Sequence, residues 1–461
     1  MAISVYNTLS RSKEPFVPAT KDVVRMFVCG PTVYGSSHIG HAKTYTQFDF
    51  IARYLRFRGF EVTYLQNITD VDDKIIARAR ELNMSPSDLA TKFEEEYRSD
   101  MMSLSNTSVD VYARAHDYIA AIVNQIHQLI DHGHAYKLDD GWYFDLSTFS
   151  DYGKLSGRRE LRDEDSVSRI DHHDKKRNPG DFALWKSRKD GEPFWPSDLG
   201  EGRPGWHIED TAITESFFGP QYDLHGGAVD LIFPHHEAEV AQMEAASGKT
   251  PFVKYWLHTG LVRVDGAKMA KSAGNFMTIK EVLEHSDFRT LRYAFLSQHY
   301  RSSMEFSEVA VQNAKNARRR VENFARSVDR SRDDSDDALT VVRDARQSIL
   351  DRLDDDFDTP GALAVLFDFI RQMNRNEVKP GAATWELLVD LNSLFCAFDI
   401  DGAQTEDFEI ESLLERRRAL RKTGNYSDAD AIRDSLSGRG IVIEDTADGT
   451  RWWWHSSDER R

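Results

Sequence analysis

The stretch that decides the fold is VVRMFVCGPTVYGSSHIGH, residues 23–41. VVRMFVCG (23–30) is a short apolar run closed by Gly30-Pro31, the pattern of a buried strand, and PTVYGSS is the loop that leaves it. From His38 to about Arg58 the apolar Ile51, Tyr54 and Leu55 recur at helical spacing, and Gly59 ends the run. VTYLQNI (62–68) predicts a second strand, after which Asp70 or Asp72 can cap a helix carrying Ile75, Ile76 and Ala79. Strand, helix, strand, helix at this spacing predicts an α/β fold with a Rossmann-type parallel sheet. Its ligands should lie where strands end and helices begin.

Outward from that core, residues 113–200 lose regular periodicity: a helix around 114–132 precedes polar, turn-rich sequence that includes DHHDKKRNPGDFALWK, read as an insertion. The α/β pattern resumes at YDLHGGAVDLIF (222–233), a helix from about His235 to Ala246, and VKYWLHTG. The sheet domain is therefore expected in two pieces, 1–112 and 201–290. Charged amphipathic stretches at 307–330, 339–356, 360–375 and 384–396 predict a helical bundle within 291–404, with SVDRSRDDSDDA (327–338) as a flexible connection. Residues 405–461 read as a small mixed module of two helices and the strand-turn sequence GIVIEDTADGTRWWW.

The 461 residues carry 59 Lys plus Arg against 76 Asp plus Glu, a formal charge of −17, which argues against a protein that coats nucleic acid while allowing local basic faces. Two cysteines, Cys29 and Cys396, cannot make a disulfide framework and suit a reducing compartment. The N-terminal segment lacks a signal-peptide core and no window reaches membrane-spanning length. A cytoplasmic, non-membrane protein is expected.

Two short motifs can carry chemistry. In His38-Ile39-Gly40-His41 a helix dipole, open backbone amides and two imidazoles converge, which suits a polyphosphate, and Gly40 lets a flat base approach the backbone. The same tetrapeptide also describes two partly buried histidines at a helix start. In KMAKS, Lys268 and Lys271 lie three apart before Gly274, and two ammonium groups there can meet phosphates as charge develops during displacement; the alternative is a solvated loop.

HIGH and KMAKS, in order around an α/β unit, resemble the HIGH and KMSKS elements of the class I aminoacyl-tRNA synthetases, with Ala270 in place of the usual Ser. The likeness narrows to the cysteinyl-tRNA synthetases through FVCGPTVY, NITDVDDKI (67–75), RNPGDFALWK (177–186), GRPGWHIE (202–209), DLHGG (223–227) and FPHHEAE (233–239), and it continues into GIVIEDTADGTRW. This resemblance implies an enzyme that activates L-cysteine with ATP and transfers it to the terminal ribose of tRNA-Cys, with His38, Gly40, His41 and Lys271 on ATP, Lys268 assisting Lys271, and Mg2+ accompanying ATP. It further implies that Thr69, Trp206 and Asp230 line the amino-acid pocket, although by residue type Thr69 could be a helix cap, Trp206 a core residue and Asp230 a turn. The insertion is then connective, 291–404 a stem-contact region with its bundle, and 405–461 an anticodon-binding module. A monomer is expected.

His235 and Glu239 are i and i+4 on a predicted helix and so share a face able to offer nitrogen and oxygen to one cation. Cys29 could reach the same pocket as thiolate, or be a small core residue. The resemblance implies one zinc held by Cys, Cys, His and Glu, of which Cys29, His235 and Glu239 carry over. Where the family has GWHIEC this chain has GWHIED, so Asp210 stands at the fourth position as a harder oxygen ligand. A metal-bound thiol loses its proton, so such a site would select cysteine over serine without editing. Ala228, in HGGA for the usual HGGG, has no assigned role. For tRNA, ERRRALRK (415–422) and ARRR (317–320) offer basic helix faces, and Trp452, Trp453 and Trp454 offer stacking surfaces, at least one of them serving as core. Cys396, in LNSLFCAF, reads as a buried helix residue. Two rivals remain: a paralogous cysteine ligase with an amino-sugar acceptor, which the terminal module opposes, and a non-catalytic tRNA-binding or metal-sensing relative, which His38, His41, Lys268 and Lys271 oppose.

Overall fold

The computed structural model describes residues 2–158, 174–264, 266–269, 275–375, 379–400, 402–422, 425–438, 441–446 and 449–454. It divides into two compact units, Met1–Val311 with Gln347–Val365 and Gln312–Arg346 with Leu366–Arg461. Among the described residues no helix is long and apolar enough to cross a membrane.

In the first unit a hairpin of β1 (Ser4–Asn7) and β2 (Ser12–Pro15) precedes β3 (Val23–Val28), α1 (Ile39–Phe57) and β4 (Glu61–Ile68). Then come α2 (Asp73–Leu82), capped by Asp72, α3 (Pro86–Ser103) and β5 (Val111–Arg114). After α4 (Ile119–Asp131) lie β6 (Ala135–Leu138), β7 (Gly141–Phe144), β8 (Ala183–Ser187) and β9 (Gly202–Pro204), joined antiparallel in that order. Four strands thus pair into a sheet where the sequence suggested irregular turns, three of them within 113–200 and β9 just beyond it. Its strands are three to five residues long, too short for periodicity to register, and β8 reaches β7 across a long polar segment. Part of DHHDKKR, through His173, lies outside the described residues.

The chain returns through α5 (Ile208–Phe218), β10 (Tyr222–Ala228), α6 (Glu237–Ser247) and β11 (Val253–Thr259). The central sheet has the order β11-β10-β3-β4-β5, every pair parallel. Helices cover both faces of such a sheet, which is why β3 reads as a nearly continuous apolar run. The strand order reverses between β3 and β10, so a crevice opens beyond their carboxyl ends, the place where this architecture binds ligands. Gly226 permits that packing: a Cβ there would lie 2.4 Å from the Phe48 ring on α1. The helix expected from His235 begins two residues later. Pro234 pushes Phe233 into extended geometry (φ −137°, ψ 131°), and His235 and His236 sit in the distorted turn that leads into α6.

Beyond β11, β12 (Val262–Val264) pairs with β13 (Ala267–Lys268) and with β14 (Met304–Glu305), and between the last two lie α7 (Ile279–His285) and α8 (Phe288–Leu296). Helices α9 (Glu308–Arg326), α10 (Asp336–Asp354), α11 (Thr359–Arg375) and α12 (Ala382–Phe395) follow the amphipathic stretches. In the second unit the connection before α10 is anchored: Asp334 accepts the amides of Gly381 (3.0 Å) and Ala383 (2.8 Å) at the start of α12. Cys396 is a half-buried left-handed residue closing α12 (φ 47°), because the helix ends one residue before it. In the terminal module, α13 (Gly402–Lys422) and α14 (Tyr426–Gly438) pack with the hairpin of β15 (Ile441–Thr446) and β16 (Gly449–Trp454). Trp452 lies against Ile410, Leu414, Leu436 and Ile441, so it is a core residue. Arg417 of the basic stretch is buried too, leaving its neighbours to form the exposed face.

Candidate active site

The first half of the site is the start of α1. His38 is its N-cap, in extended geometry, and accepts the His41 backbone N–H on Nδ1 at 3.3 Å, while the His38 N–H points back to His41 Nδ1 at 3.5 Å. Two imidazoles thus do the work usually given to Ser and Glu in a capping box. The rings stack at 3.8 Å, and burial with His38 alongside pushes the His41 pKa well down, so His41 is neutral. Because both Nδ1 atoms accept, the ring proton of each sits on Nε2, a donor suited to phosphate oxygens at a helix N-terminus. A Cβ on Gly40 would lie 2.8 Å from His38 Cε1 and 3.6 Å from Met269 Cε, so the HIGH and KMAKS segments approach each other here. Ile39 donates to Met277 O (3.1 Å) and Ile279 to Ser37 O (3.0 Å), fastening the chain after KMAKS to the same helix start. Lys268 is placed as backbone of β13 opposite Arg263; Lys271 lies outside the described residues.

From there a cavity of about 390 Å³ runs over Cys29, His38, His41, Trp206 and Asp230. Ala228 lines it in extended backbone (φ −79°, ψ 153°), a conformation alanine adopts freely, so no glycine is required. Beneath it His235 Nε2 is the point on which the expected metal ligands converge: Glu239 Oε1 at 2.9 Å, Asp210 Oδ2 at 3.1 Å and Cys29 Sγ at 3.5 Å. All four residues are buried. One imidazole N–H cannot satisfy three acceptors, and neither Glu239 oxygen sits in hydrogen-bond geometry. Ligands about 2.0–2.3 Å from a tetrahedral zinc would lie roughly 3.3–3.8 Å apart; the ligand atoms of Asp210, His235 and Glu239 all lie within 4.8 Å of one another, while Cys29 groups with His235 and His236. Burial and the Asp210 charge push the Cys29 thiol up, and burial pushes the Glu239 carboxyl up to about 8 against the pull of His235. Burial alone would lower His235, but Glu239 and Cys29 outweigh it and raise it well above its usual value. A divalent cation would reverse the burden on both anions. The donor set fits a metal.

The remaining expected residues divide. Trp206 stacks on His235 at 4.2 Å and walls the cavity; Asp230 lines its rim. Thr69 lies below the surface, its hydroxyl donating to Glu209. Sequence reasoning missed Glu209, Asn67 and His207. Asn67 donates to Asp210, and His207 Nδ1 lies 2.8 Å from His235 Nδ1. Burial and His235 hold His207 well below its usual pKa, so it is neutral and can accept the His235 proton, leaving His235 Nε2 for a metal. His207 and Glu209 stand inside the quoted GWHIED, and Asn67 begins NITDVDDKI; those motifs were the available signal.

The family profile for the tRNA synthetases class I (C) catalytic domain matches residues 15–316, that for the DALR domain 349–397, and that for the cysteinyl-tRNA ligase anticodon binding domain 407–452. The chain is 42% identical over 473 residues to the cysteine–tRNA ligase of Thermococcus onnurineus, covering 98% of this chain and 99% of that protein. It is 43% identical over 460 residues to the same-named protein of Thermoplasma acidophilum, covering 97% and 99%. Among solved structures, the methionyl-tRNA synthetase of Mycobacterium tuberculosis in complex with methionyl-adenylate is similar in fold, with a TM-score of 0.61 at 16% identity over 81% of this chain and 89% of that one.

Proposed function

The chain belongs to the cysteine–tRNA ligase family of class I aminoacyl-tRNA synthetases, and from that premise we propose a mechanism in which thiol selection by zinc accompanies ATP-dependent charging of tRNA-Cys. The carboxylate of cysteine attacks the α-phosphorus of ATP, pyrophosphate leaves, and the terminal ribose of tRNA-Cys captures the adenylate. His38 and His41 donate from Nε2 to phosphate oxygens, and the first turn of α1 adds its amides. Gly40 leaves the backbone open to the base. Lys268 and Lys271 neutralise the departing pyrophosphate, and Mg2+ travels with ATP. Asp230 pairs with the α-ammonium, while Trp206 and Thr69 shape the pocket. Cys29, Asp210, His235 and Glu239 would hold zinc, which when bound supplies a Lewis acid that takes the substrate sulfur as thiolate. Residues 405–461 read the anticodon, 291–404 meet the tRNA stem and 113–200 connect the catalytic halves. The enzyme acts as a monomer in the cytoplasm, a setting supported by two unpaired thiols.

The observation that carries this reading is the convergence of Glu239, Asp210 and Cys29 on His235 Nε2 beside the HIGH helix start. Pyrophosphate exchange should depend on cysteine and run slower with serine by about 10⁴-fold, the discrimination expected of a site built around one ligand atom. Equal exchange with serine refutes zinc selection. Exchange without charging of a tRNA-Cys transcript favours the amino-sugar acceptor.

A further inference from the structure

Asn67, at the carboxyl end of β4, is fully buried and spends its amide completely. Its Oδ1 accepts the Gly30 backbone N–H at 2.5 Å, while Nδ2 donates to Asp210 Oδ1 at 2.5 Å and to Thr69 Oγ1 at 3.2 Å. Thr69 gives its own hydroxyl proton to Glu209, so it can only accept from Asn67. The amide orientation is thereby determined, since the reversed one would set N–H against N–H and oxygen against two oxygens.

We propose that Asn67 is a positioning residue for the metal site, holding Asp210 so that a single carboxylate oxygen faces the ligand cluster. This rests on the zinc reading above and adds what an aspartate at this position requires. The Asp210 side chain has two rotatable bonds, and its oxygens are equivalent until something distinguishes them. Asn67 makes the distinction: Oδ1 is bound to the amide, and Oδ2 is left 3.1 Å from His235 Nε2. The same amide secures the turn that follows Cys29. A Cβ on Gly30 would lie 1.8 Å from the Asn67 backbone carbonyl oxygen, so the two segments are in close contact there. One side chain therefore joins the sulfur ligand's turn to the oxygen ligand's helix. A cysteine at position 210 has one ligand atom and nothing to choose between, so it would gain little from this donor.

The test is a double-mutant cycle on the full chain, reading zinc affinity by competition with a chromophoric chelator and the absorption spectrum of the cobalt(II)-substituted protein. Asn67→Ala should weaken zinc about ten- to hundredfold, the usual cost of losing a residue that orients a ligand. In an Asp210→Cys background the same change should cost clearly less, because only the tie to the Gly30 N–H is then lost. The cobalt spectrum should shift more with Asn67→Ala in the chain that retains Asp210. Asn67→Asp keeps the acceptor for Gly30 and removes the donor, so it should weaken zinc at least as much. Equal losses in both backgrounds, or an Asn67→Asp chain that binds zinc like the wild type, would overturn the proposal and leave the zinc reading standing. A wild-type chain that binds no zinc would overturn both.

Discussion

Replacing Gly40 with alanine separates activity from stability. The new Cβ would lie 2.8 Å from His38 Cε1 and 2.9 Å from His38 Nδ1, where ordinary contact begins at 3.4 Å. The imidazole must retreat by about 0.6–1 Å, yet it is stacked on His41 at 3.8 Å, set edge-on to Phe276 and bonded to the His41 N–H. Losing that cap costs about 1 kcal/mol, while alanine in place of glycine in a helix returns up to about 1 kcal/mol. Net stability should therefore change by no more than about 1 kcal/mol, a shift of a few degrees in Tm. Chemistry is less forgiving: a misplacement near 1 Å costs on the order of 10²-fold, so cysteine-dependent pyrophosphate exchange should slow ten- to hundredfold. Thermal melting beside exchange kinetics tests this. Exchange within twofold of wild type would refute the role given to His38, and a chain that unfolds would refute the offset.

Asp49→Ala should destabilise the first unit by roughly 3–5 kcal/mol, because it removes the carboxylate paired at 2.8 Å with the wholly buried Arg292, whose other hydrogen bonds go to neutral oxygens; a loss below about 1 kcal/mol in chemical denaturation would contradict this. Lys43 on α1 is also buried, its Nζ donating to Gly260 O (2.7 Å) and Tyr300 O (3.3 Å), and burial lowers its pKa from 10.5 to about 8. The folded state therefore releases this proton before the unfolded state does. Below pH 8 the charged amine is a full penalty, and as pH climbs from about 8 to 10.5 a penalty of roughly 3 kcal/mol is relieved. Over that window the Tm of the wild type should rise relative to Lys43→Met; a difference that stays flat or falls would show that the amine is not so buried.

Much of this architecture was legible because its signals are local. VVRMFVCG and VTYLQNI lie between turn residues and became β3 and β4, and the helix expected from His38 to Arg58 runs from Ile39 to Phe57. Cys29, His235, Glu239 and Asp210, far apart in the chain, were gathered by family likeness, since spacing related only the histidine to the glutamate. That i, i+4 pair meets at 2.9 Å even though His235 precedes the regular helix, because Pro234 displaces only the turn before it. What escaped were contacts between distant segments. Nothing local tells Asn67 that it will bind Asp210, 143 residues away, or that Lys43 will reach the carbonyl of Gly260. The sheet of β6 to β9 escaped for the same reason, its pairing decided by tertiary contact.

Thiol selection rests on Cys29, Asp210 and Glu239 forming a metal centre with His235. Metal analysis of the purified wild type beside Asp210→Ala is the direct measurement: about one equivalent of zinc per chain is expected in the wild type and clearly less in the variant. Equal zinc in the two proteins, or charging of tRNA-Cys undiminished under strong chelation, would contradict it.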